Sequence, residues 1–545
     1  MKALVFSILF FVLPLASFAA PVSAAQVRKA AQVWAKRCTA AHFRARMDRP
    51  VRDVRTYRAD GSDAFHVVDF EGGGFAVFPA DDEIAPVVAF AESGMLVEDS
   101  RNPLWTLVNL DLPQRVKAHR SGRAVARNPL GRRGRSRKRG WKRPAEEWHE
   151  LLSAAPMTAT RVTQLTDIRV AALVQSTWDQ STVGGKDCYN YYTPNGYVCG
   201  CVATAGAQLM RYHRHPSAAV SAKTFSCSVD GTVANYTMKG GVYDWNLMDL
   251  VPTSAISDAS REAIGRLCYD AGVASHMNWS LSGSGTIDIY LTDALTTVFG
   301  YKNARCEMNQ VDAGIGREKI EDAIFANLDA KCPVLLGILT TNLADNAGHE
   351  IVADGYGIYN GEIFTHLNLG WSGSNNAWYA LPSISAGGYA FSVVGNIVYN
   401  VFPDETGELI TGRILDADEN PIAGATVEAS YKTGYSYSQK TVTVTAQTDG
   451  NGIYALHVPS ATSVTLTATA KRYSTVTTTV KTTTSKTTKF DAASKQYYPS
   501  SGTVGNSWGN DLTIEEIEPP PTPRVRPYTH ATWTRGELKF ERVEE

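Results

Sequence analysis

The sequence predicts an α+β protein: a mixed helix-and-strand core region, preceded by a small α+β unit and followed by an all-β sandwich module. Three observations predict it. A helix-like run begins at Gly200-Cys201-Val202-Ala203-Thr204-Ala205 and reaches Gln208 and Tyr212-His213, with strand-like runs later at Ala347–Val352 and Thr365–Trp371. Ahead of it, a helix-like stretch from Val27 to Ala41 is followed by short β-branched and aromatic runs, Phe65–Phe70, Phe75–Phe78 and Pro86–Phe90, broken by glycine or acidic turns. Beyond Gly407 the helical period disappears. Threonine and valine alternate at Thr441–Thr445, and turns such as Asp416–Pro421 and Thr448–Gly452 punctuate short strands.

Taken in order, residues 1–25 read as a cleaved secretory leader: Met1-Lys2, an apolar run from Ala3 to Leu15, then small residues through Ala20 and Ala25. The product is expected to be secreted or held at the cell surface. Residues 26–112 form the small α+β unit. Residues 113–165 form a basic linker, because Arg115 to Arg143 is rich in arginine and lysine, has no acidic residue and lacks apolar periodicity. Its basic clusters suit trypsin-like cleavage and mark a maturation zone; export argues against a nucleic-acid patch. Residues 166–404 are the mixed region, 405–492 the β-sandwich module and 493–545 a flexible polar tail, proline-rich from Glu515 to Pro523.

The net charge of −1 conceals that basic segment. After the leader, no stretch approaches the roughly 20 unbroken apolar residues that span a bilayer, so no transmembrane segment is expected. Of eight cysteines, Cys38 stands apart, and Cys188, Cys199, Cys201, Cys227, Cys268, Cys306 and Cys332 crowd the mixed region. With Cys201 set aside, six remain there, to pair as disulfides, Cys188 with Cys199 among them, or to lie as buried thiols.

Cys201 is expected in the first turn of a helix, where unpaired N–H groups and the positive end of the dipole favour thiolate over thiol. His349, in Gly348-His349-Glu350, can hold the proton and return it to a leaving amine, the two resting as thiolate and imidazolium. Asn368 lies 19 positions further on, so a hairpin brings its amide oxygen to the imidazole. Gln180, in Trp178-Asp179-Gln180, offers an N–H that joins the Cys201 N–H as an oxyanion hole. Glu350 points to the opposite strand face from His349 and is given no catalytic role.

Together these residues resemble the streptopain family of secreted cysteine peptidases, of the papain-like group. The resemblance rests on Trp178-Asp179-Gln180, Gly200–Ala205 with Gln208 and Tyr212-His213, Tyr269–Val273, Gly283-Ser284-Gly285, Phe299-Gly300-Tyr301, Gly348-His349 and Asp354-Gly355, in the family's order over residues 170–382. It implies a papain-like fold and a cysteine endopeptidase acting on proteins or peptides without a cofactor. It also implies that Gly283, Ser284 and Gly285 lie near the substrate cleft and that Trp371 walls the asparagine. Gly73–Val77, Ala80-Asp81-Asp82 and Pro86-Val87-Val88 resemble that family's propeptide, which implies a zymogen whose own leading unit inhibits it and holds the histidine out of place. Leu369 stands where the family usually has tryptophan, and Ala347 where a second glycine is common. Gly412-Arg413-Ile414, Pro421–Val427 and Thr448–Tyr454 resemble a carboxypeptidase regulatory-like domain, an accessory fold that binds surfaces or stiffens a stalk.

Two other readings compete. Cys199, Cys201, His213 and His215 offer zinc-type donors, but one residue between the cysteines is too few, so no metal is expected. The other is a secreted surface or adhesion protein with a decayed peptidase fold, in which the β module does the binding.

Overall fold

A computed structural model describes residues 20–38, 48–121, 142–153, 168–308, 317–339, 348–359, 362–381, 394–434, 437–487, 489–491, 496–498, 504–517, 530–534 and 537–541. The leading unit packs α1 (Ala24–Cys38) and α2 (Pro103–Arg120) on an antiparallel sheet of β1 (Val51–Ala59), β2 (Ser62–Phe70), β3 (Phe75–Pro79) and β4 (Ala89–Ala91). α2 starts where Asn102 Oδ1 accepts the Leu104 and Trp105 N–H groups, with Pro103 in the first turn. A further helix, α3 (Pro144–Ser153), lays Trp148 against Phe78 and donates its indole N–H to the Ile84 carbonyl.

Parts of the expected leader and of the expected linker belong to folded elements instead. Ala20 already donates its N–H to Asp82, Val22 is buried and α1 begins at Ala24, so Ala20 to Ala25 belong to the folded unit. α2 runs through Arg115 to Arg120, and Trp148 and Leu151 give α3 enough apolar surface to dock. Of the expected linker, 122–141 and 154–165 lie outside the described residues, as do residues 1–19 of the expected leader.

The core region contributes α4 (Cys201–His213), α5 (Asp258–Ala274), α6 (Asp288–Thr297), β5 (Asn303–Met308), α7 (Arg317–Asp329), β6 (Val334–Leu339), β7 (Gly348–Tyr359), β8 (Glu362–Asn368), β9 (Ala377–Ala380) and β10 (Val394–Phe402). One antiparallel path runs β1-β2-β3-β4-β9-β8-β7-β6-β10-β5, so the leading unit extends the core's own sheet through β4 on β9. Val352, Leu335 and Val398 face α4, α5 and α6 on one side of the sheet. Ile351, Leu336 and Ile397 face the other, with α7 and the leading unit. Near the β4–β9 seam the buried Arg115 guanidinium bonds Asp111 and the Ala380 carbonyl at 2.5 Å, and the Tyr379 hydroxyl donates to Asp111.

The C-terminal module is a sandwich, as expected. A four-stranded sheet, centred on Thr426–Thr433, lies over Glu408–Leu415 and Ile453–Val458, with Ile410, Val427, Leu456 and Leu466 between the layers. The tail departs from expectation. Residues 504–517 return to the core, where Trp508 is buried between Phe325 of α7 and Tyr356 of β7, at ring-centroid distances of 5.0 and 6.2 Å. Asn506 joins Asn400, Leu409 and Asp322 in buried hydrogen bonds.

Among the described residues, Cys188, Cys199, Cys201, Cys227, Cys268, Cys306 and Cys332 are all free thiols, which corrects the expectation of disulfides. Cys199 is hydrogen-bonded to Cys268 and has its sulfur 3.2 Å from Thr204 Oγ1, so it sits in a buried thiol–hydroxyl cluster and not in a bridge to Cys188. The Cys38 side chain lies outside the described residues.

Candidate active site

Cys201 is the first residue of α4, as the sequence predicted, and is partly exposed. Gly200 before it adopts φ 96°, and a Cβ there would come within 2.8 Å of Met277 and 3.1 Å of the Ser284 carbonyl, so the turn into the helix requires glycine. That close approach also sets the 283–285 loop beside the thiol. Gly283 and Gly285 have open space where a side chain would stand, and Gly285 pairs with Asn278.

Gln180 lies next to this turn, its carbonyl accepting the Cys199 N–H at 2.9 Å. Asp179 beside it binds the Ser372 hydroxyl at 2.6 Å, and the Trp178 carbonyl accepts the Ser372 N–H, which carries neighbouring Trp371 to the same end of α4. Gln208, one face further along α4, accepts from Ser176 and from the Trp178 N–H and reaches Asn368 Oδ1 at 3.3 Å. Three of the predicted positions, Gln180, Cys201 and Trp371, are thereby tied to the start of α4, and a fourth, Asn368, to its middle through Gln208.

The predicted contact between histidine and asparagine is not made. Asn368 ends β8, buried, and spends its amide on the Ser176 carbonyl at 2.7 Å and its oxygen on Gln208 and the Gly370 N–H. His349 Nε2 instead lies 3.0 Å from the Leu369 carbonyl. Nor does His349 hydrogen-bond Cys201; the sulfur receives the N–H of Glu350, the next residue along β7.

The resting charge state also differs from expectation. Burial pushes the Cys201 thiol up to about 11, and Asp288 adds to this, although the N–H groups of Glu350, Val202 and Cys201 itself pull the other way. Burial holds His349 down to about 4, against the Leu369 carbonyl and Asp179, which favour its charged form. The helix terminus acts in the predicted sense, but desolvation is larger. With the leading unit docked, thiol and imidazole are both neutral.

Glu350 is the residue that sequence reasoning missed. Alternation along a strand correctly sets it opposite His349, yet its side is the one that meets the thiol. It is buried and hydrogen-bonds Asp288 at the start of α6, and the Asn396 amide donates to the same aspartate. An acidic residue directly after the histidine, with another at Asp288, was the available signal.

For the zinc alternative, Cys199 and Cys201 lie at one end of α4 and His213 at the other, about 18 Å apart at 1.5 Å rise per residue. Among the described residues no group of three or more His, Cys, Asp or Glu side chains converges as a metal site.

Comparison with known proteins follows the same division of the chain. Residues 178–379 match the Peptidase C10 family, residues 19–110 the Spi protease inhibitor and residues 409–495 the carboxypeptidase regulatory-like domain. The chain is 28% identical over 194 residues to streptopain of Streptococcus pyogenes, a match covering 34% of this chain and 46% of that relative, less than half its length. It is also 28% identical over 189 residues to the thiol protease/hemagglutinin PrtT of Porphyromonas gingivalis, covering 34% of this chain and 21% of PrtT. A fragment of prointerpain A from Prevotella intermedia aligns structurally with a TM-score of 0.45 and 21% identity, over 64% of this chain and 98% of that one. The family matches give one assignment: the chain carries a peptidase C10 domain, behind a Spi-inhibitor, propeptide-like domain and ahead of a carboxypeptidase regulatory-like domain.

Proposed function

We propose that the chain is a secreted cysteine endopeptidase made as an inactive precursor. Cys201 is the nucleophile, His349 the general acid and base, Asn368 the residue that orients the imidazole, and Gln180 the side chain that joins the Cys201 N–H in holding the oxyanion. Gly283, Ser284, Gly285 and Trp371 border the substrate. The observation that carries this reading is Cys201 at the N-terminus of α4 with its sulfur against the N–H of the residue next to His349, inside the segment that matches C10 peptidases.

In the reaction, His349 takes the thiol proton and the sulfur attacks the peptide carbonyl carbon. The tetrahedral oxyanion is held by the two N–H donors, and His349 gives its proton to the departing amine. Water, deprotonated by the same imidazole, then releases the acid from the thioester. The neutral resting state fits a precursor: the leading unit holds the sheet at β9, two strands from β7. Activation consists of His349 leaving the Leu369 carbonyl for Cys201 and Asn368. The C-terminal module and any surface it binds remain subordinate to this reading.

Replacing Cys201 with serine tests it. The variant is expected to fold like the parent and to lose cleavage of casein-like substrates after the leading unit is removed; retained cleavage refutes the assignment. Labelling of the processed protein by a thiol-directed epoxide, lost in Cys201→Ala and kept in Cys227→Ala, separates the enzyme from a decayed, binding-only fold.

A further inference from the structure

β7, β6 and β10 are aligned so that Glu350, Gly337 and Asn396 lie in one row across the sheet. A Cβ at Gly337 would overlap the Asn396 amide, so the absence of a side chain there lets the two flanking residues converge on Asp288. Glu350 and Asp288 are hydrogen-bonded to each other, which needs a proton on at least one of the two carboxyl groups, and burial pushes both of them up. Among the described residues, the titratable groups that face this pair are the thiols of Cys201 from α4 and Cys306 from β5; neither is a cation. Two acceptors at this place, Glu350 Oε1 and Asn396 Oδ1, are buried without a donor, on residues more than nine-tenths buried. Among the described residues no cationic side chain reaches these carboxyl groups and the two unused acceptors beside them, so the place suits a donor from outside.

We propose that Asp288 and Glu350, with Asn396, form a specificity site that takes the guanidinium or ammonium of an arginine or lysine side chain near the scissile bond of a peptide substrate. The site adjoins the reacting sulfur: Glu350 donates its N–H to Cys201, and Asp288 opens α6 with two residues between it and the 283–285 loop, whose two glycines are exposed. A guanidinium carries five donors and no acceptor, which suits carboxylates and amide oxygens. The same chemistry gives the chain a substrate within itself. Arg123, Arg127, Arg132, Arg133, Arg135, Arg137, Lys138 and Arg139 lie between α2 and α3, so a preference for basic residues favours cutting there.

This inference rests on Cys201 being the nucleophile of a peptidase, and its test separates the two. Paired fluorogenic peptides, differing only in a basic or neutral residue at each position around the cut, are assayed on the processed protein with its C-terminal module. Wild type is expected to favour the basic peptide at one position by about tenfold in kcat/KM. In Glu350→Gln that ratio falls to near one, and Asp288→Asn, which leaves the strand residue intact, lowers it likewise. Equal cleavage of basic and neutral peptides by wild type at every position, or full preference kept in both variants, overturns the proposal and leaves the two oxygens to water. A second readout needs no catalysis: agmatine, a free guanidinium compound, slows alkylation of Cys201 in wild type and not in Glu350→Gln. Agmatine protection without peptide cleavage sinks the peptidase reading and keeps the site; cleavage without protection or preference does the reverse.

Discussion

Removing the leading unit should change how Cys201 reacts more through its pH dependence than through its rate at neutral pH. With that unit docked, a thiol at about 11 is ionised in only about one molecule in ten thousand at pH 7. Once His349 reaches the sulfur, a thiolate–imidazolium pair with a thiol pKa near 4, as in papain-type sites, is almost fully ionised, a gain of about four powers of ten. Nucleophilicity per thiolate falls with pKa at a slope of about 0.4–0.5, which takes back about three of them. The net gain in iodoacetamide alkylation at pH 7 is therefore about tenfold. Full-length chain should alkylate about tenfold faster per pH unit from 7 to 10, while processed protein should be flat over that range. The assay follows label at the Cys201 peptide by mass spectrometry, with Cys201→Ala as blank. Identical pH profiles for the two forms, or a full-length profile that levels off below pH 9, would refute the reasoning.

Three further outcomes follow from buried contacts. Trp508→Ala empties the space between Phe325 and Tyr356 and should cost about 3–5 kcal/mol, read as a fall in denaturation midpoint; no fall would show that residues 504–517 do not hold the core. Arg115→Ala leaves Asp111 buried without its cation, so separately added leading unit should inhibit processed protein at least about a hundredfold more weakly in an inhibition titration. Asp329, buried under Tyr356, is pushed up to about 7 from an ordinary carboxylate value. The folded state then keeps a proton that the unfolded chain loses near pH 4, so its contribution to stability is present below pH 4 and is lost as pH rises to 7. Asp329→Asn should flatten that decline, gaining on wild type by up to about 4 kcal/mol at pH 7 and above in urea titrations.

The parts of the site legible in sequence were those governed by local rules. A glycine before Cys201 and an apolar period after it specified the helix start, and the spacing of His349 and Asn368 specified neighbouring strands, which β7 and β8 are. What escaped depended on packing between distant segments. Alternation shows that residues 349 and 350 face opposite ways; only the row Glu350, Gly337, Asn396 decides which of them meets the thiol side. Trp508 looked like part of a polar tail because its partners, Phe325 and Tyr356, are more than 150 residues earlier in the chain. The cysteines gave no hint of their state, since a buried thiol and half a disulfide are the same residue type. The expected linker looked featureless because two apolar side chains, Trp148 and Leu151, suffice to dock α3.

The seam between β4 and β9 separates two events that are easily taken as one. Backbone hydrogen bonds, the Phe90–Phe364 contact and the Arg115–Asp111–Tyr379 cluster all cross or flank it, and none depends on the covalent link through residues 122–141. A nick in that link should yield a two-piece complex that stays strand-paired and, on the proposed function, silent. Activity should then wait for the severed piece to dissociate or be digested, so a time course of chain cleavage is expected to run ahead of a time course of turnover.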